Sequence, residues 1–262
     1  MTRLLPALAL LLAAAPAAAG TFDPFAGAGI DPKPGAQLPV DIPFTDQAGA
    51  PATLRQIGGG KPIVLAPVLH NCPNICGVTL GGLMSAVDAQ PYRPGRDFTV
   101  IAFGIDPAEG PQDAQKTVRD LDRRNGGSDE GIHALTGTEA NVRAVTDALG
   151  YRYAFDPGIG QYAHIAAVAV LTPDGRLARW LYGVAPDPTD LRLALTEAGR
   201  GTIGSFGDQL LLLCYHYDPT TGRYSSVIWL LLQLGGGATV LALSGFVGLA
   251  VLRERRRGNR RT

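Results

Sequence analysis

Cysteine is scarce: the chain has 3 in 262 residues. That is too few for a disulfide scaffold at this length, and the odd count leaves one thiol, Cys214, without an obvious partner. Lysine is also rare, with Lys33, Lys61 and Lys116 the only ones beside many arginines, which reads as compositional bias and decides no function. Net charge is absent, 23 basic against 23 acidic residues, so bulk attraction to nucleic acid is not indicated. The 4 histidines are few enough to consider one by one. Apolar material is plentiful: at 46% hydrophobic the chain can build a core for one large or two small domains.

Two of the three cysteines stand together in Leu65-Ala66-Pro67-Val68-Leu69-His70-Asn71-Cys72-Pro73-Asn74-Ile75-Cys76-Gly77. The apolar run Ile63 to Leu69 reads as a buried strand, and Pro73 suits the first position of a helix, where its missing N–H costs nothing. Cys72 then caps that helix. Leu80, Leu83 and Val87 continue from Cys76 on one face, turned to a core. Both cysteines lie one turn apart on the same side, where the helix N-terminus favours thiolate over thiol. Such a pair can chelate a metal or close a disulfide.

The termini set the compartment. Residues 1–19 carry one charge, Arg3, then a Leu/Ala-rich run and Ala17-Ala18-Ala19, the pattern of a cleaved secretory signal. The run is short for a span of roughly 20 residues and is interrupted by Pro6 and Pro16. At the other end, residues 227–252 have Gln233 as their only strongly polar side chain, and Trp229 near their start fits an interfacial ring. Six arginines between Arg253 and Arg261 close the segment, so the expected topology is one transmembrane helix with a basic cytoplasmic tail, 253–262. The domain before it then lies in the periplasm, or on the extracytoplasmic side, of a bacterial inner membrane. In that oxidising setting a vicinal thiol pair must be kept reduced by a partner or capped by a metal.

Between the termini, residues 20–57 read as an extended lead-in, with a hairpin about Gln47-Ala48-Gly49-Ala50. Gly58-Gly59-Gly60-Lys61 is no phosphate loop, because Pro62 follows where Ser or Thr is needed. A domain over 58–204 follows. Phe98 to Ile105 is a strand ending at Asp106-Pro107, Pro111 to Arg124 a helix, and Ile132 to Leu135 a strand. Thr138 caps a helix through Val142, Val145 and Leu149, which Gly150 closes. Tyr151 to Phe155 is a short strand. Ile165 to Leu171 turns at Pro173-Asp174-Gly175 into a return strand through Trp180 and Tyr182. Leu191, Leu195 and Ala198 mark the last helix, and 205–226 is a membrane-proximal segment. Parallel strands giving way to an antiparallel edge make an α/β sandwich with the thioredoxin-like order.

His164, directly before the Ile165 strand, is the best third ligand, since that fold brings the preceding loop against the start of the cysteine helix. Cys72, Cys76 and His164 would form a soft trigonal site suited to Cu(I) and able to hold Cu(II). His70, two residues before Cys72, could reach the same site or simply hydrogen-bond; His133 reads as structural. Asp106 either supports the site or caps the next helix. Cys214 and His216 have ligand chemistry at a spacing of two, which makes them a candidate second site or a membrane-proximal contact. The context of a peroxidatic cysteine is missing before Cys72.

Cys72-Pro73-x-x-Cys76, Ile105-Asp106-Pro107, and His164 ahead of a strand and a Pro-Asp-Gly turn together resemble the Sco/SenC family of copper-binding proteins, over about Gln37 to Gly199. The resemblance implies copper held by Cys72, Cys76 and His164 and delivered to the copper-site subunit of cytochrome c oxidase, for its binuclear centre. Donor chaperones or thiol–disulfide partners are implied as well. It also implies an alternative, a thiol–disulfide reductant in which Cys72 and Cys76 are the reactive pair. The three-residue gap, against two in thioredoxin-type enzymes, favours metal. Two departures stand out: Gly77 replaces the family's proline, and the anchor is C-terminal.

Overall fold

The computed structural model describes residues 27–72, 76–124, 130–158, 160–199, 206–212, 215–226 and 228–258. The expected signal segment, Pro73 and Cys214 lie outside them, as do the side chains of Cys76, 228–232 and 249–258. In chain order the elements are β1 (Gly29–Ile30), β2 (Phe44–Asp46), β3 (Pro51–Ala52), α1 (Leu54–Gly58), β4 (Ile63–Val68), α2 (Cys76–Asp88), β5 (Thr99–Gly104) and α3 (Pro111–Arg124). Then follow β6 (Ile132–Thr136), α4 (Glu139–Leu149), β7 (Tyr151–Arg152), β8 (Ala154–Asp156), β9 (Gln161–Ala163), β10 (Ala167–Leu171), β11 (Leu177–Tyr182) and α5 (Pro188–Ala198). The last are α6 (Phe206–Leu212), β12 (Tyr215–Asp218), β13 (Arg223–Ser226) and α7 (Ile228–Gly258).

Seven strands form the main sheet in the order β11-β10-β4-β5-β6-β2-β3. The centre, β4-β5-β6, is parallel, and β10 and β11 run antiparallel beside it. β2 and β3, from the stretch read as a lead-in, extend the far edge. Central strands are covered on both faces, which is why their sequences are continuous apolar runs. Val64, Ala66, Val100, Ala102, Val168 and Val170 share one core with Leu80, Leu83 and Val87 of α2, Val118 of α3 and Leu191 of α5. The alternate residues, Ile63, Leu65, Ile101, Phe103 and Ala169, face Leu54, Val142, Val145 and Leu149 on the other side. Period-two alternation thus divides each strand between two cores. The layers are those of a thioredoxin-like sandwich.

Local chemistry fixes the helix ends. Thr53 and Gln56 make a capping box at α1, Thr138 accepts from Asn141 N–H at the start of α4, and Asp187 caps α5 ahead of Pro188. Gly150, at φ 71°, turns the chain out of α4 into β7. A Cβ there would meet the Asp31 carbonyl oxygen at 2.0 Å, so both conformation and space require glycine.

β12 and β13 form a hairpin seated on the β11 edge. Tyr217 donates to the Trp180 carbonyl at 2.5 Å, Tyr182 donates to the Pro219 carbonyl at 2.9 Å, and Tyr224 donates to Glu197 at 2.8 Å. His216 is exposed on this hairpin, opposite Ser225. The expected transmembrane segment falls within α7, a 31-residue helix whose side chains from 233 to 248 are all exposed. Among the described residues no helix is long and apolar enough to cross a membrane.

Candidate metal centre

The site forms where strands end. β4 and β5 run in parallel register to Val68 opposite Gly104, so the residues that follow, Leu69 to Cys72 and Ile105 to Glu109, emerge at the same sheet edge. β10 pairs antiparallel with β4, Ala169 opposite Leu65 and Val170 opposite Val64. The chain that leads into β10, with His164 in it, thus enters the sheet at that same edge. The cysteine loop, the Asp106 turn and the His164 loop therefore meet at the carboxyl end of the parallel strands, where open α/β sheets bind ligands. Among the described residues no group of three or more His, Cys, Asp or Glu side chains could hold a metal ion, and the Cys76 side chain is not among them.

Cys72 is half-buried and packs on the cluster containing Leu69 and Tyr151, against which Tyr162 and Ile165 also pack. A cleft of about 100 Å³ beside it is lined by Leu69, Cys72, Gly77, Leu80, Thr117 and Leu121. Helix α2 is described from Cys76, and the expected start at Pro73 lies outside the described residues. A Cβ on exposed Gly77 would meet nothing within 4 Å, so packing does not demand the glycine that departs from the family pattern.

The cysteine loop is held by a residue that sequence reasoning missed. Glu109 accepts the backbone N–H of His70 at 2.9 Å and that of Asn71 at 2.6 Å, one on each carboxylate oxygen. Burial pushes its carboxyl above the usual range, the two N–H donors pull it back, and Asp106 and Asp113 push it further up. Only its place in the turn after Asp106-Pro107 hints at the role. Glu109→Gln removes the charge and one of the two acceptor positions. The variant is expected to lose about 1–3 kcal/mol, as for hydrogen bonds to a charged group, in denaturant unfolding. The His70 and Asn71 amides should exchange with solvent faster, while those of β5 keep their protection; uniform exchange would show that Glu109 does not hold the loop.

His70 itself points into the fold. Its Nδ1 lies 3.1 Å from Thr117 Oγ1 and its Nε2 3.0 Å from the Leu135 carbonyl. Burial lowers its pKa, so it is held as a neutral imidazole across the strand end. Gly104 makes the room, since a Cβ there would meet His70 Nε2 at 2.8 Å. Asp106 accepts the Ala108 N–H at 2.9 Å, which closes its own turn, and lines a cleft with Asn71 and Glu109. His133 lies in β6, opposite Ile101 of β5.

His164 is half-buried in the loop before β10. Its Nδ1 is 2.9 Å from Tyr151 Oη and 3.3 Å from the Ile165 carbonyl oxygen. Burial lowers its pKa against the opposing effect of that carbonyl, so the ring is neutral and competent to ligate. Tyr151 is buried and stacked on Trp180 at 5.7 Å, placed there by the Gly150 cap.

A thioredoxin-like domain with a Cys-x-x-x-Cys loop and a histidine brought to the same sheet end is the class of protein that fold and site define. The SCO1/SenC family model matches residues 32–196, and the chain belongs to that family. Two solved proteins of Aquifex aeolicus VF5 are similar. One, named for electron transfer, is 25% identical with a TM-score of 0.56 and covers 66% of this chain and 100% of its own. The other, named for electron transport, is 27% identical with a TM-score of 0.53, covering 64% and 99%. Arabidopsis thaliana ScoI, solved with copper bound, shares the fold at 19% identity and a TM-score of 0.51, covering 64% of this chain and 99% of its own. No curated protein sequence matches significantly.

Proposed function

We propose that the chain binds copper through Cys72, Cys76 and His164 and delivers it, from the extracytoplasmic face of a membrane, during assembly of the binuclear copper centre of cytochrome c oxidase. The observation that supports this best is the strand register, which carries the cysteine loop and His164 to one sheet end in a member of the SCO1/SenC family. The donor set fits the ion. Two thiolates and a neutral imidazole are soft enough to select Cu(I), and three ligands leave copper open to exchange with an acceptor. Cys72 is half-buried rather than enclosed, as transfer by ligand exchange requires. Helix α7, preceded by the hairpin and ending in arginines, is the proposed membrane anchor, with the domain outside and residues 1–19 removed on export. The copper-site subunit of the oxidase is the proposed acceptor, and Cys214 with His216 has no assigned part.

The test is an anaerobic Cu(I) titration of the reduced full-length chain in detergent micelles against a competing chelator, with the same protein oxidised to a Cys72–Cys76 disulfide alongside. One equivalent held competitively by the reduced form and none by the oxidised form is expected. The opposing result is no competitive binding together with rapid reduction of a test disulfide. In that case the thiolate pair would pass two electrons to the substrate disulfide and itself become a disulfide, which is the oxidoreductase reading.

A further inference from the structure

His164 reaches the site edge with one ring nitrogen already committed. Its Nδ1 faces two oxygens, Tyr151 Oη at 2.9 Å and the Ile165 carbonyl at 3.3 Å. A carbonyl oxygen only accepts. Tyr151 has a single hydroxyl proton, which it donates to the same Ile165 carbonyl at 2.7 Å. With that proton spent, Tyr151 Oη can only accept from the imidazole. Both neighbours therefore require Nδ1 to bear the ring's proton, and in the neutral ring Nε2 then carries the lone pair.

Tyr151 is well placed to enforce this. It is 1% exposed, its ring is stacked on Trp180 at an interplanar angle of 20°, and the indole is in turn tied to the Leu149 carbonyl at 3.3 Å. The αL turn at Gly150 sets the tyrosine's origin, and β7 pairs it with Ile30. Hydroxyl, carbonyl and imidazole form a closed triangle on a rigid base.

We propose that Tyr151 is a positioning residue for copper: by accepting from Nδ1–H it holds His164 in one tautomer and one ring orientation, with Nε2 as the ligating atom. Ligating histidines generally gain affinity when the second ring nitrogen donates to a fixed acceptor, and loss of such a partner weakens metal binding about 10–100-fold. This inference rests on the ligand reading proposed above, and its test separates the two.

The tautomer is read without metal, by nitrogen NMR of the reduced full-length chain in detergent micelles with labelled histidine. In the parent protein His164 Nδ1 is expected to be the proton-bearing nitrogen and Nε2 the bare one. Tyr151→Phe keeps the stacked ring and removes the hydroxyl, so a mixture of tautomers is expected, with Cu(I) affinity down by about tenfold. Trp180→Phe disturbs the stacking and keeps the hydroxyl; it should lower the unfolding midpoint without moving the tautomer. A protonated Nε2 in the parent overturns the proposal even if neither variant folds. Equal affinity and an unchanged tautomer in Tyr151→Phe overturn it while His164→Ala still weakens binding. If His164→Ala binds copper as the parent does, it is the ligand reading that fails.

Discussion

Cys72→Ser and Cys76→Ser are each expected to abolish competitive Cu(I) binding under the proposed ligand set, whereas His164→Ala should retain a weaker affinity; this is the largest effect expected of any substitution in the chain. The reason is the order of ligand softness. Cu(I) forms its strongest bonds with thiolate, and a serine hydroxyl at neutral pH is neither charged nor soft. Loss of the imidazole leaves two thiolates, which still bind Cu(I) but in a more exposed form. Each cysteine variant should therefore lose more than the about 10–100-fold typical of removing a partner of a ligand. Titration against a graded series of chelators ranks the three. Equal affinities across all three variants would dismiss the ligand set, and the tyrosine triangle would lose its purpose with it.

The largest stability effect is expected on the helix that carries Cys76. Leu83 is fully buried on α2, in the core shared with β4, β5 and β10, while Val78 on the same helix is 57% exposed. Leu83→Ala leaves a cavity that the packed sheet cannot close, for an expected loss of about 2–5 kcal/mol. Against a total of about 5–15 kcal/mol for a typical domain, that approaches unfolding at physiological temperature. Val78→Ala should change stability by no more than about 0.5 kcal/mol, as an exposed substitution. Urea unfolding of the two variants measures the difference. Similar losses would mean that α2 is not seated by the face that Leu80, Leu83 and Val87 define.

That face was legible in the sequence because its spacing is local: residues at i, i+3 and i+4 fall together on any helix. The same is true of α3, from Pro111 to Arg124, and of α4, from its Thr138 cap to Gly150. Caps are short-range chemistry, and a single sequence records them. The hairpin about Ala48 and Gly49 was legible for the same reason. Its attachment to β6 was not, since Thr45 pairs with Thr136 across some ninety residues of chain, from a strand of only three residues.

The site divides in the same way. Cys72, Asp106 and His164 could be placed at one sheet end from the order of strands alone, because strand direction decides which loops share an edge. Glu109 and Tyr151 could not. Each meets its partner through side-chain reach across the fold, from 109 back to 70 and from 151 forward to 164, and neither spacing has a periodic signature. The His70 ring could not be read either, since its orientation depends on the space left by Gly104 on the neighbouring strand.

The docked hairpin bears on how copper would find its acceptor. A single residue, 227, separates the end of β13 from the start of α7, and one residue reaches only about 3.5 Å. A flexible linker would let the site sample a hemisphere above the bilayer and meet acceptors at many heights, with an effective concentration set by linker length. Here the hydrogen bonds of Tyr182, Tyr217 and Tyr224 clasp the hairpin that precedes α7 to the domain. With α7 as the anchor proposed above, so short a connection would confine the site to a narrow range of heights above the bilayer, so that lateral diffusion would bring it to acceptors whose own copper site stands within that range.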